Sequence, residues 1–276
     1  MVAAVKCYAR GTRLRRRLTI AAPGSGPPAV DRRWSLPMST HLPRKALAMT
    51  MQLYIGNKNY SSWSMRPWVL LEQATIAFEE VKIRFDAFTP DSKFKTEVAR
   101  HSPAGRVPVL VDDGFAVWDT LAIAEYLAER FPDRHLWPGD RQARARARSV
   151  CAEMHAGFTA LRSHFGMNIE ASLPEVGQRI LREHAEVKAD VDRLVEMWSE
   201  LLRAHGGPLL FGRFSIADAF FAPVVKRFVT YAVPVPPAVA AYIKQVQELP
   251  AVVAWTRGAL AEHDFLDFEE PYRKAC

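Results

Sequence analysis

Cysteine is scarce in this sequence: three in 276 residues, at Cys7, Cys151 and Cys276. An odd, scattered set argues against a secreted disulfide framework and for a reducing, cytoplasmic setting. There is no CxxC, and the eight histidines form neither an HExxH nor a paired cluster, so no metal site is expected. No apolar run approaches the roughly 18–20 residues that span a bilayer, so no transmembrane helix is expected. Acids are nearly missing from the first fifty residues, where ten Lys/Arg stand against the single Asp31, a local charge of +9. The whole chain carries +7, so the remainder carries −2. Its overall basicity therefore gives no argument for a nucleic-acid surface on the folded body.

What is present is a balance of 49% hydrophobic and 24% charged residues, enough to bury a sizeable core across two domains of ordinary size. Residues 1–50 stand apart. They show no sustained helical or strand period, and the run AAPGSGPPAV lies in their middle. We read them as a basic disordered extension. Three origins fit: an upstream start preceding a folded chain that begins at Met49 or Met51, an Arg-rich organelle leader, or a nucleic-acid or membrane tail. The first is preferred because regular patterning begins at once at Gln52. The third ranks last, because RLRRR is short and has little aromatic interleaving.

From Met51 the pattern predicts a strand at Gln52–Ile55, a polar loop, and a helix over Met65–Ala74 with Ser64 as its N-cap and Pro67 near its start. A second strand is expected at Phe78–Phe85 and a helix at Ser92–Arg100. Val107–Val111 and Phe115–Trp118 flank Asp112-Asp113-Gly114 and read as an antiparallel hairpin. A helix follows over Thr120–Arg130, stopped by Phe131-Pro132-Asp133. The order β-α-β-α-β-β-α is a thioredoxin-like layout, with Pro108 at the start of its third strand. Beyond a linker at 132–140 no strand is evident. Arg141–Phe165 and Glu175–Ala204 read as long amphipathic helices, the second ended by Gly206-Gly207-Pro208. Ser215-Ile216-Ala217-Asp218 forms a capping box, which makes Asp218 a folding residue. The last helices are expected at Ala238–Gln247 and Val252–His263. The fold class is therefore α/β plus all-α: a thioredoxin-like domain at 51–131 and a helical-bundle domain at 141–270.

Three motifs carry a family resemblance. SSWSMR at 61–66 resembles the serine motif SSCxWR of zeta-class glutathione S-transferases, with Trp63 where that class has cysteine. RVPVL at 106–110 is similar to the family's proline-containing segment, and DTLAIAEYL at 119–127 resembles its ESxAIxxYL. They occur in the family's order and spacing, and with the helical half the resemblance covers about residues 51–270. It implies a cis-proline at Pro108, glutathione as cofactor, a homodimer, and transfer of glutathione to a small hydrophobic electrophile. Alternatives are glutathione-dependent cis–trans isomerisation, which Trp63 makes less direct, or a non-catalytic binding module on the same fold. Thiol–disulfide reduction is disfavoured, since no cysteine lies near Ser61.

The resemblance assigns roles residue by residue. A free cysteine thiol titrates near ~8.5, and the N–H groups and dipole of a helix N-terminus favour its anion. Ser61 aligns with the motif's first serine and would donate to the glutathione sulfur; Ser62 is the runner-up. Either is also an ordinary helix-start serine. Asp119 would accept the γ-glutamyl ammonium, and Thr120 would cap the next helix and present its N–H groups to the carboxylate. Val107, beside Pro108, would pair through its backbone with the cysteinyl peptide. Arg106 would meet the glycyl carboxylate or face solvent. The electrophile would lie between the domains near His155, Phe158, Arg162 and Met167, with Glu153 and Asn168 as further candidates. Tyr54 and Tyr60 are alternative hydroxyls, Tyr54 packing within its strand.

Overall fold

The computed structural model describes residues 51–274. The basic extension at 1–50, with Cys7, and Cys276 at the other end lie outside the described residues.

Four short strands form one sheet: β1 (Gln52–Ile55), β2 (Glu79–Lys82), β3 (Val109–Asp112) and β4 (Phe115–Trp118). Their order is β2-β1-β3-β4, with β1 and β2 parallel and the other pairs antiparallel. Leu53 and Ile55 alternate into the core from β1, as a period of two requires. Asp113 and Gly114 link the hairpin with φ of 49° and 81°. Positive φ at both central residues is the turn that matches the twist of paired strands. Two helices connect these strands and a third follows: α1 (Ser62–Gln73), α2 (Lys93–Val98) and α3 (Thr120–Arg130). The Val107–Pro108 peptide is cis, as the resemblance implied.

The helix α1 starts three residues before the expected Met65. Ser61 holds the N-cap position, and Ser64 lies inside the first turn. Ser64 is not a cap because its Oγ serves other donors: it accepts the Gly56 N–H at 3.1 Å and the Ser61 hydroxyl at 2.7 Å. Pro67 consequently lies within the helix, and the Trp63 carbonyl lacks the N–H that position i+4 would supply.

The remaining helices are α4 (Arg141–Ala156), α5 (Thr159–His164), α6 (Pro174–Glu183), α7 (Ala185–His205), α8 (Ile216–Thr230), α9 (Pro237–Gln247) and α10 (Pro250–Leu260). Both expected long helices are broken. The first divides at Gly157-Phe158, where Phe158 takes φ 55° and turns its ring into the core. The second divides at His184, whose carbonyl accepts from Val187 and Lys188 and so starts α7 anew. Gly206 ends α7 in the left-handed region (φ 75°), as its sequence position foretold. Among the described residues no helix is long and apolar enough to cross a membrane.

The buried helix α8 organises the helical half. Its start carries the expected capping box: the Ser215 N–H donates to Asp218 Oδ2 at 3.0 Å, and the Leu210 N–H donates to Oδ1 at 3.2 Å. One apolar cluster runs unbroken from Leu53 and Val69 through Met154 and Phe220 to Trp255. The helices α1, α8 and α10 pack together within it, which fixes the N-terminus of α1 against the helical half.

Candidate active site

Two adjoining cavities of about 450 and 440 Å³ open beside the N-terminus of α1, sharing Trp63, Arg106, Val107 and Arg162 as their common wall. The first holds Ser61, Ser62, Phe88, Met167, Arg227 and Glu269. The second holds Pro108, Asp119, Thr120 and His155. The fold thus brings together residues from stretches scattered between Tyr60 and Glu269.

Asp119, not Thr120, caps α3: its Oδ1 accepts the Leu121 N–H at 2.9 Å. It does so at φ 75°, a costly conformation for a residue with a Cβ and one that recurs at ligand sites. Thr120 is the first helical residue, and its buried hydroxyl has no partner. His155 faces Asp119, with Nε2 at 3.4 Å from Oδ2, and its Nδ1 is also buried and unpaired. His155 therefore belongs to the Asp119 cavity, not to the Met167 cavity where an electrophile was expected.

Phe158 lines neither cavity; it is buried in the core at the α4–α5 break. Glu153 is likewise removed, held by Arg193 at 2.7 and 3.0 Å. Asn168 is a buried tie, donating to Glu270 and accepting from Asn59. Tyr54 stacks on His101 at 3.9 Å. Tyr60 lines the first cavity, but its hydroxyl donates to Glu270 Oε1 at 2.7 Å. Burial, reinforced by that acceptor, pushes its pKa up to about 12, so it holds its proton. Burial also pushes the Cys151 thiol well up, which leaves it inert.

The two serines are differently engaged. The Ser61 hydroxyl donates to Ser64 at 2.7 Å. Ser62 Oγ accepts from Arg227 Nη2 at 3.0 Å, a charge-assisted bond that leaves the serine proton free to point into the cavity. Arg227 also donates to the Phe165 carbonyl, so the guanidinium is fixed from two sides.

The sequence analysis assigned no role to Arg66 or Arg227, which join Arg162 at this site. Arg66 is fully buried, with Nε and Nη1 unpaired, its guanidinium 4.2 Å from the Trp63 ring and 5.1 Å from the Phe220 ring. Burial, then the neighbouring Arg227 and Arg162, lowers its pKa to about 9. Burial lowers Arg227 to about 10. The signal lay in Arg residues within apolar helix stretches, SMRPWVLL and VVKRFV. Glu269 is the acid in the first cavity, and burial raises its pKa to about 7 despite Arg227 nearby. Three arginines and a helix N-terminus make this floor strongly attractive to an anion.

The family model for the glutathione S-transferase N-terminal domain matches residues 60–130, and that for the C-terminal domain matches 141–258. The chain belongs to the glutathione S-transferase family. Glutathione S-transferase 1 of Dianthus caryophyllus is 28% identical over 183 residues, covering 65% of this chain and 78% of that protein. A probable maleylacetoacetate isomerase of Caenorhabditis elegans is 32% identical over 109 residues, 40% of this chain and 48% of that protein. Among solved structures, a glutathione transferase homolog from Burkholderia strain BGR1, crystallised with bound glutathione, is 26% identical with a TM-score of 0.58; the match covers 78% of this chain and all of that one.

Proposed function

We propose that the chain binds glutathione across the two cavities and uses the Ser61–Ser62 pair to hold its thiolate for attack on an electrophile. The observation that carries this reading is the N-terminus of α1, where both serines line the first cavity and Ser62 is bonded by the fixed Arg227. The γ-glutamyl end belongs in the second cavity. There the strained Asp119 offers a carboxylate to the ammonium, and the unpaired Thr120 hydroxyl and α3 N–H groups suit the α-carboxylate. Val107 offers its backbone to the cysteinyl peptide, and Arg106, with Lys95 beside it, suits the glycyl carboxylate. The electrophile takes the remainder of the first cavity, against Phe88, Met167 and Arg162.

The chemistry required of the protein is modest. Lowering a thiol pKa by two units takes about 2.7 kcal/mol of preferential thiolate stabilisation. A helix terminus, a hydroxyl donor and the field of buried guanidinium groups supply that order of energy. Ser62 donates to sulfur while accepting from Arg227. Ser61 joins when its bond to Ser64 reverses, with Ser64 donating and Ser61 turning its proton to sulfur.

The test is calorimetric titration of glutathione into the protein and its Ser61→Ala and Ser62→Ala variants, with thiolate absorbance followed against pH. The parent binds and depresses the thiol pKa; the variants bind comparably and lose part of the depression. A parent that does not bind glutathione ends this reading. Similarity to a probable maleylacetoacetate isomerase favours one second reading, isomerisation with glutathione returned unchanged. Consumption of glutathione during turnover separates the two.

A further inference from the structure

Away from the cleft, the fold assembles what the sequence keeps apart. His164 ends α5, His184 joins α6 to α7, and Glu186 lies in the first turn of α7. One ligand atom from each lies within 4.8 Å of the other two. His184 Nδ1 is 3.1 Å from Glu186 Oε1, and the two imidazole rings lie 4.0 Å apart between centroids, tilted by 36°. The histidines are half-buried and Glu186 is exposed, so an ion can reach all three from solvent.

We propose that His164, His184 and Glu186 form a binding site for a zinc-class divalent ion, which clips the end of α5 to the α6–α7 junction. Two imidazoles and a carboxylate, with no thiolate, match the ligand preferences of zinc, nickel and copper and not those of magnesium. Ligand atoms around a tetrahedral ion with bonds of about 2.0–2.2 Å stand roughly 3.3–3.6 Å apart. The 3.1 Å pair is already close to that spacing, and the third ligand atom lies within 4.8 Å of both. None of the three lines either cavity of the candidate active site, which makes the ion's role structural. It acts at a weak point of the helical half, a six-residue helix and a helix break, with Arg162 of the cleft wall only two residues before His164.

The experiment uses the full chain, stripped with a chelator, dialysed and titrated with zinc chloride by calorimetry, beside His164→Ala, His184→Ala and Glu186→Gln. The expected result is a site filled by zinc but not by magnesium, weakened at least about tenfold in each histidine variant and less in Glu186→Gln. Zinc should raise the thermal midpoint of the parent and leave that of the histidine variants in place. All three side chains are at least partly exposed, so the variants should fold as the parent does, which far-UV circular dichroism checks without metal. Absence of zinc binding overturns the proposal. So does zinc binding that is undiminished in both histidine variants, which would locate the ion elsewhere on the chain.

Discussion

Arg66 and Arg227 carry charge where the surroundings are least hospitable to it. Arg227 is compensated by an acceptor hydroxyl and a carbonyl, while Arg66 leaves two nitrogens unpaired and rests its face on aromatic rings. Such residues are costly unless a ligand makes use of their field. Glu269 tunes that field. Its folded pKa of about 7 keeps it neutral below pH 7 and negative above, where it opposes an anion in the first cavity. Glutathione affinity should therefore weaken as pH rises through 7 in the parent. In Glu269→Gln that inflection should vanish, and affinity at pH 8 should improve on the order of two- to fivefold, the weight of one partly screened charge. Calorimetric Kd values from pH 6 to 8.5 decide it; a parent and variant with identical profiles would remove Glu269 from the account.

At the scale of elements, the capping box and the helix breaks show what local sequence can and cannot specify. Asp218 is fully buried and fastens both the start of α8 and the Leu210 N–H. Asp218→Ala removes a cap and orphans buried donors, so urea unfolding should show a loss of roughly 2–4 kcal/mol. A loss below half a kcal/mol would mean that α8 is positioned by packing alone. That box, the Asp113-Gly114 hairpin, β1, β4 and α3 were legible in the sequence, because each is set by a cap, a turn or a period within a few residues. The breaks in α4–α5 and α6–α7 were not, since charged and apolar residues keep their helical spacing across both. The early start of α1 was hidden too, because Ser64 looks like a cap until its hydroxyl is seen bonding Gly56 and Ser61. Within the site, the cavity-lining serines, Arg106, Val107, Asp119 and Thr120 could be picked out by motif. Arg227 could not, because its bond to Ser62 joins residues 165 positions apart.

At the scale of the molecule, the loop leading into α1 is held by the far end of the chain. Asn57 donates to Asp264 at 2.8 Å, the Lys58 N–H donates to Glu262 at 3.0 Å, and Tyr60 donates to Glu270 at 2.7 Å. Arg84 closes on Asp264 with bonds of 2.7 and 2.6 Å. Neither Asp264 nor Glu262 lines either cavity. Asp264→Ala leaves the buried Asn57 amide without its acceptor and should cost roughly 1–3 kcal/mol in urea unfolding. It should also weaken glutathione binding measurably, because the loop that sets the angle of Ser61 loses a brace. Unchanged affinity with lowered stability would show that α1 holds its serines without help from the tail.

That clasp also orders events in time. Synthesis proceeds from the N-terminus, and Asn57, Lys58 and Tyr60 leave the ribosome some two hundred residues before the carboxylates that secure them. The sheet and most helices can assemble while the serine loop still waits for its partners. A chain released short of residue 262 would therefore carry every serine and all of the cavity lining except Glu269, yet lack the groups that hold the serine loop in place. The serine loop is thus secured only once residues 262–270 have been made.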